Sequence, residues 1–161
     1  MASTTTSRLA AASVAVALAG CGGLYVSPLA PPPYRTEIGA PYERTWTALV
    51  RALAHENLPL RAIARDSGVI ASDDVLTPIG VWADCGRAGE TQLEGEALVA
   101  FTLFLESNGT TTRLQVNAKM RTQAHRKGSS GSLKQTPVYP CASTGRFEAN
   151  LVDAVRELVK P

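Results

Sequence analysis

Residues 96–106 form a dense apolar run, residues 111–121 alternate apolar with polar, and Asn108-Gly109 stands between them. Asn-Gly supplies the positive φ angles that a tight hairpin turn demands, so the two segments are expected to pair antiparallel. In the second arm Leu114, Val116, Ala118 and Met120 point one way, while Arg113, Gln115, Asn117, Lys119 and Arg121 point the other. One face of the hairpin is therefore made for a core and the other for water.

The flanks supply the rest of a domain. Pro41 fits the first turn of a helix, and Trp46, Leu49, Val50 and Leu53 follow at steps of three and four, which predicts an amphipathic helix over 42–57 that stops ahead of Pro59. Residues 60–65 and 68–75 read as a second hairpin about Asp66-Ser67-Gly68. Phe147, Leu151, Val155 and Leu158 recur at helical spacing over 146–159, after Thr144-Gly145. The order predicts an α+β domain in which an antiparallel four-stranded sheet carries the N- and C-terminal helices on one face, α-β-β-β-β-α. There is no internal repeat. With 161 residues, 45% hydrophobic and 19% charged, and a formal charge of +2, the chain has room for one ordinary domain. It is too apolar for a disordered chain and too nearly neutral for a nucleic-acid partner.

Residues 1–20 are not expected to join that domain. Their only charged side chain is Arg8; an apolar run from Leu9 to Leu18 follows and ends in Ala19 and Gly20, the layout of a secretory signal. The run is too short to cross a bilayer permanently, since a spanning helix needs roughly 20 residues. The next residue is Cys21, and Leu18-Ala19-Gly20-Cys21 resembles the lipobox of bacterial lipoproteins. That resemblance implies a diacylglyceryl group on the Cys21 sulfur, cleavage before it and a third acyl chain on the new N-terminus, giving a firm membrane anchor. Gly22, rather than Asp, after the cysteine resembles the sorting pattern for the outer membrane of a two-membrane bacterium. Residues 21–40, with Gly22-Gly23, Pro28 and Pro31-Pro32-Pro33, read as the lipidated cysteine and an extended tether. Residues 41–161 then form the periplasmic domain.

With Cys21 taken by lipid, Cys85 and Cys141 remain. An even pair in an oxidising compartment reads as a disulfide, and neither cysteine has the Cys-x-x-Cys spacing of a redox centre. Tyr42, Trp46, Leu53, Leu60 and Gly68-Val69-Ile70 resemble the helix-grip domains of the C subunit of the β-barrel assembly machinery, over about a quarter of the chain. This implies a helix-grip-like fold, although the cysteine pair departs from that subunit. Cys141-Ala-Ser-Thr-Gly-Arg-Phe-Glu148 also resembles a Cys-x-Ser-x-Gly-x-x-Glu stretch of small bacterial lipoproteins with no assigned activity.

Signals for chemistry are sparse. Asp73, Asp74 and Asp84 lack calcium-loop spacing and read as turn formers; Ser129-Ser130-Gly131-Ser132 has no nucleophile elbow; His55 and His125 have no metal-ligand spacing. No metal, cofactor or catalytic residue is expected beyond the lipid on Cys21. Charge is segregated instead: residues 66–106 carry eight acidic side chains against Arg87 alone, whereas 107–147 carry seven basic and no acidic ones. Lys119, Arg121, Arg126, Lys127 and Lys134 could form a patch for an anionic surface. Alternatively, the hairpin pairs the two halves internally, with Glu90, Glu94 and Glu96 facing Arg121. Trp82, in the long connection 76–95, is either an exposed binding residue or a cover for the disulfide. The expected function is that of an outer-membrane-anchored, non-enzymatic interaction module facing envelope proteins. The alternative is a carrier of a small apolar ligand or lipid.

Overall fold

The computed structural model describes residues 24–123 and 138–160. In chain order the elements are β1 (Tyr25–Val26), β2 (Tyr34–Ile38), α1 (Tyr42–His55), β3 (Leu60–Ala64), β4 (Val69–Ser72), β5 (Val75–Pro78), β6 (Ala83–Asp84), β7 (Arg87–Ala88), β8 (Thr91–Gln92), β9 (Glu96–Asn108), β10 (Thr111–Gln123), β11 (Val138–Ser143) and α2 (Arg146–Leu158). The class is α+β, as expected, but the principal sheet has eight strands rather than four.

The difference arises from the length of the central hairpin. β9 and β10 are each thirteen residues long and stay in register from Asn108↔Thr111 to Ala97↔Thr122, with Gly109 at φ 69° in the turn. No neighbour is long enough to flank them. On one side β4 pairs with β9 at residues 102–104 and β5 at 96–99. On the other, β2 pairs with β10 at residues 112–116 and β11 at 120–123. β3 extends the sheet beyond β4, and β6 beyond β11. The expected single strand over 68–75 is thus two, broken at Asp73-Asp74. At the break the Ser72 Oγ accepts the Phe101 N–H at 2.8 Å, so a side chain completes the ladder.

The tether expected over 21–40 also needs correction. Tyr34–Ile38 is a strand of the main sheet, with Ile38 fully buried. Tyr25–Val26 belongs to a small second sheet, β1-β7-β8. At the end of β2 the chain is tied to the hairpin tip: Glu37 accepts hydrogen bonds from Thr111 Oγ1 and from Asn108 Nδ2. These two bonds hold its carboxyl below its ordinary value against a smaller desolvation effect, and the Arg113 charge adds least.

The inner sheet face is continuous. Ala97, Val99, Phe101, Leu103, Leu105, Leu114, Val116 and Met120 are each at most 4% exposed. Over its tip half lie both helices, which touch one another and contribute Trp46, Leu49, Leu53, Phe147, Leu151, Val152 and Val155 to one core. α1 begins directly after Pro41, whose carbonyl accepts the Arg44 and Thr45 N–H groups. It ends in a Schellman-type closure, in which Asn57 takes φ 51°, the Leu58 N–H reaches the Leu53 carbonyl and the Asn57 N–H reaches that of Ala54. Over the open half of the same face the cover is the segment 79–95, where Ala83 and Cys85 pack on Ala97, Val99 and Met120.

Two glycines with nearly equal φ separate conformational preference from close approach. Gly68 (φ 68°) exchanges backbone bonds with Arg65 and Leu105, and a Cβ there would stand 2.1 Å from the Leu105 carbonyl oxygen; one on Gly109 would meet nothing within 4 Å. Gly109→Ala is expected to cost about 1 kcal/mol, for the left-handed backbone alone, and Gly68→Ala at least about 2 kcal/mol more because strand must move from strand. Urea unfolding of the two variants measures the difference; equal losses would mean that β3–β4 does not approach β9 this closely.

Candidate functional site

The open half of the sheet is closed by a platform that brings four chain segments together. Cys85 is fully buried directly after β6 and is joined by a disulfide to Cys141 on β11, across 56 positions of sequence. In the chain-entropy model closing a loop of that size stabilises the fold by about 4 kcal/mol. The Tyr25 hydroxyl donates to the Pro140 carbonyl at 2.6 Å and lies 3.2 Å from that of Cys85, while its ring rests on Tyr139 with centroids 4.4 Å apart. One side chain thus touches backbone on both sides of the disulfide.

The residues after Cys141 hold the Trp82 loop. Thr144 donates through its N–H to the Trp82 carbonyl (2.9 Å) and through Oγ1 to that of Val81 (2.9 Å). Arg146 adds a longer bond to the Gly80 carbonyl, 3.4 Å. Behind them the Ser143 Oγ accepts the Gly145 N–H and donates to Glu148 Oε2, at 2.9 and 2.8 Å. Gly145 takes φ 80° to turn the chain into α2, and Glu148 is 4% exposed. The Cys-x-Ser-x-Gly-x-x-Glu spacing is therefore one structural unit: a disulfide, a hydroxyl bridge, a left-handed turn and a buried carboxylate that the bridge satisfies.

Trp82 is half-buried on this support. Its ring packs on Phe147 with centroids 5.1 Å apart, and Phe147 packs on Phe101 at 5.0 Å. It joins the helix-covered core to the disulfide-covered one. Beside it opens a cleft of about 350 Å³ with Leu58, Trp82, Phe147, Leu151 and Ala154 as an apolar lining and Glu56, Asn150 and Asp153 as polar ones. The sequence singled out Trp82, but not its partners. Glu56 caps the C-terminus of α1 and Asp153 lies on α2, and no local spacing connects them.

The basic residues are only partly brought together. Arg121 pairs with Asp74 at 2.5 Å and Arg113 with Glu106 at 2.8 Å, both across strands on the solvent-facing side. Arg121 thus finds its carboxylate at the β4–β5 break, not at Glu90, Glu94 or Glu96. Such part-exposed pairs are worth at most about 1 kcal/mol each. Lys119 is exposed, opposite Ala100. Cys21, His125, Arg126, Lys127, Ser129, Ser130, Ser132 and Lys134 lie outside the described residues. Asp84 closes a turn by accepting the Gly86 N–H, and His55 is exposed beside Glu56. Among the described residues no group of three His, Cys, Asp or Glu could hold a metal, and no helix is long and apolar enough to cross a membrane.

No family model matches the sequence, and no curated protein matches it either.

Ser143→Ala would leave the Glu148 carboxylate buried without its donor, so the variant is expected to lose about 2 kcal/mol. Glu148→Gln, whose amide oxygen still accepts from Ser143, is expected to lose less. Urea denaturation of both orders them; the opposite order would show that the hydroxyl bridge does not satisfy this carboxylate.

Proposed function

We propose that the protein is a lipoprotein of the bacterial outer membrane, anchored through Cys21 and facing the periplasm. Its helix-grip-like domain acts as a non-enzymatic interaction module for envelope proteins. The observation that carries the reading is the division of labour among three cysteines. Cys21 ends a signal-like apolar run within a lipobox-like sequence, while the other two are joined in the folded domain. A disulfide of this kind suits an oxidising compartment beyond the cytoplasm. The place of contact would be the Trp82 cleft. An aromatic side chain fixed by backbone bonds, with an apolar floor and carboxylates at the margin, fits the anatomy of a protein-binding hot spot. The anchor would raise the local concentration of the domain at the membrane, so the cleft need bind only weakly.

A second reading, a carrier of an apolar ligand or lipid, is favoured by the cleft volume of about 350 Å³, which falls within the range of small-ligand pockets. The tight burial of the inner sheet face argues for the module, because it leaves the region between sheet and helices filled by side chains.

Intact mass of protein extracted by detergent from envelopes of a two-membrane bacterium tests the reading. The expected mass lacks residues 1–20 and carries acyl chains, with no alkylatable thiol until reduction; Cys21→Ser is expected to release the protein from the membrane. An unacylated mass with two free thiols would overturn it. Apolar ligand recovered at one equivalent per purified domain would replace the module by the carrier.

A further inference from the structure

We infer that the disulfide-bearing end of the domain lies directly on the lipid surface, with Leu24, Val26 and Leu29 in contact with lipid. The inference rests on the reading of Cys21 as the lipidated residue. Three peptide steps separate Cys21 from Leu24, and at 3.8 Å per step their Cα atoms are at most about 11 Å apart. A tether of residues 22–40 in extended polyproline geometry would instead allow several nanometres.

The chain is fixed as soon as that short link ends. The Leu24 carbonyl accepts the Gly89 N–H at 3.1 Å, and Tyr25 and Val26 pair with Ala88 and Arg87. Tyr25 is held on the disulfide platform through its hydroxyl and ring. Val26 lies so close to Gly86 that a Cβ on this glycine, at φ 74°, would stand 2.2 Å from the Val26 carbonyl oxygen. Any membrane-attached Cys21 therefore brings the platform with it.

Strand alternation turns Tyr25 inward and Leu24 and Val26 outward. Leu24 is 80% exposed, Val26 57% and Leu29 95%, which puts three of the four most exposed large apolar side chains among the described residues within eight residues of the anchor. Apolar area beside a lipid surface is stabilised by leaving water for it. The segment beneath, from Asp84 to Glu94, carries Asp84, Glu90 and Glu94 against Arg87, a balance of −2, so the contact is apolar and is not an attraction to anionic headgroups. The tip of the central hairpin, ten residues along β10 from the disulfide register at Met120↔Cys141, stands about 33 Å away along the strand and points toward the periplasm.

The test places p-benzoylphenylalanine at Leu29, at Val26 or, as the distal control, at the hairpin-tip residue Thr110 of the full chain. Intact cells of a two-membrane bacterium are irradiated, and the extracted protein is weighed intact. Acylated protein with phospholipid adducts at least tenfold more abundant from positions 29 and 26 than from 110 is the expected result. Acylated protein with equal adducts at all three positions, or none at 29 and 26, would overturn the apposition while leaving the anchor intact. A mass without acyl chains would overturn the anchor and the apposition together, and the same spectrum distinguishes the two failures.

Discussion

Thirteen-residue strands joined by Gly109-Thr110 extend for about 43 Å, whereas helices of fourteen and thirteen residues measure about 21 Å or less. Two helices of that size, packed side by side over the hairpin tip, leave the other half of the apolar face to be covered by something else. The chain solves this with a second cover of a different kind, the segment 79–95, whose short strands and glycine turns have little intrinsic preference for one conformation. The same mismatch explains why each long strand is flanked by two short strands set end to end.

An irregular cover must be held by specific bonds, because its ladders, β6 on β11 and β7 between β1 and β8, are each only two residues long. The Cys85–Cys141 bridge, the Tyr25 hydroxyl, and the Thr144 and Arg146 bonds to the 80–82 carbonyls all act on this one segment. Trp82 is the wedge between the two covers, and the cleft beside it exists because a helix-covered core and a loop-covered core meet there without merging. Binding surface and structural seam are thus products of one packing problem. The N-terminal residues that press on the platform are the ones nearest the proposed lipid anchor, which couples the most irregular part of the domain to the membrane.

The hairpin, both helices and the disulfide were legible because each rests on a local pattern: a period of 2, a period of 3.6, or a pair of cysteines left after the first was assigned. Gly68 showed a turn, but not that the Leu105 backbone lies against it. The strands missed are those whose pattern another signal hides. Tyr34–Ile38 follows three prolines, and Val138–Ser143 contains Pro140, which is tolerated because β6 covers only Ala142 and Ser143. Tyr25–Val26 is too short for periodicity. Asp74 was visible as one of a pair of turn aspartates, yet its bond to Arg121 depends on a strand break that no residue nearby announces. The cleft joins α2, the turn after α1 and the Trp82 loop, so only Trp82 could be named beforehand as a binding residue.

Native-state hydrogen exchange of the mature chain, oxidised and reduced, most directly tests whether residues 24–38 belong to the domain and are held by the platform. In the oxidised protein the amides that β2 exchanges with β10 should be protected nearly as strongly as the β9–β10 ladder, and those of Tyr25 and Val26 measurably so. Reduction should abolish protection in β1, β7 and β8 while the tip half of the hairpin keeps most of its own. Exchange of residues 24–38 at the rate of an unstructured chain in the oxidised protein would contradict the docked N-terminus and return this segment to the status of a free tether.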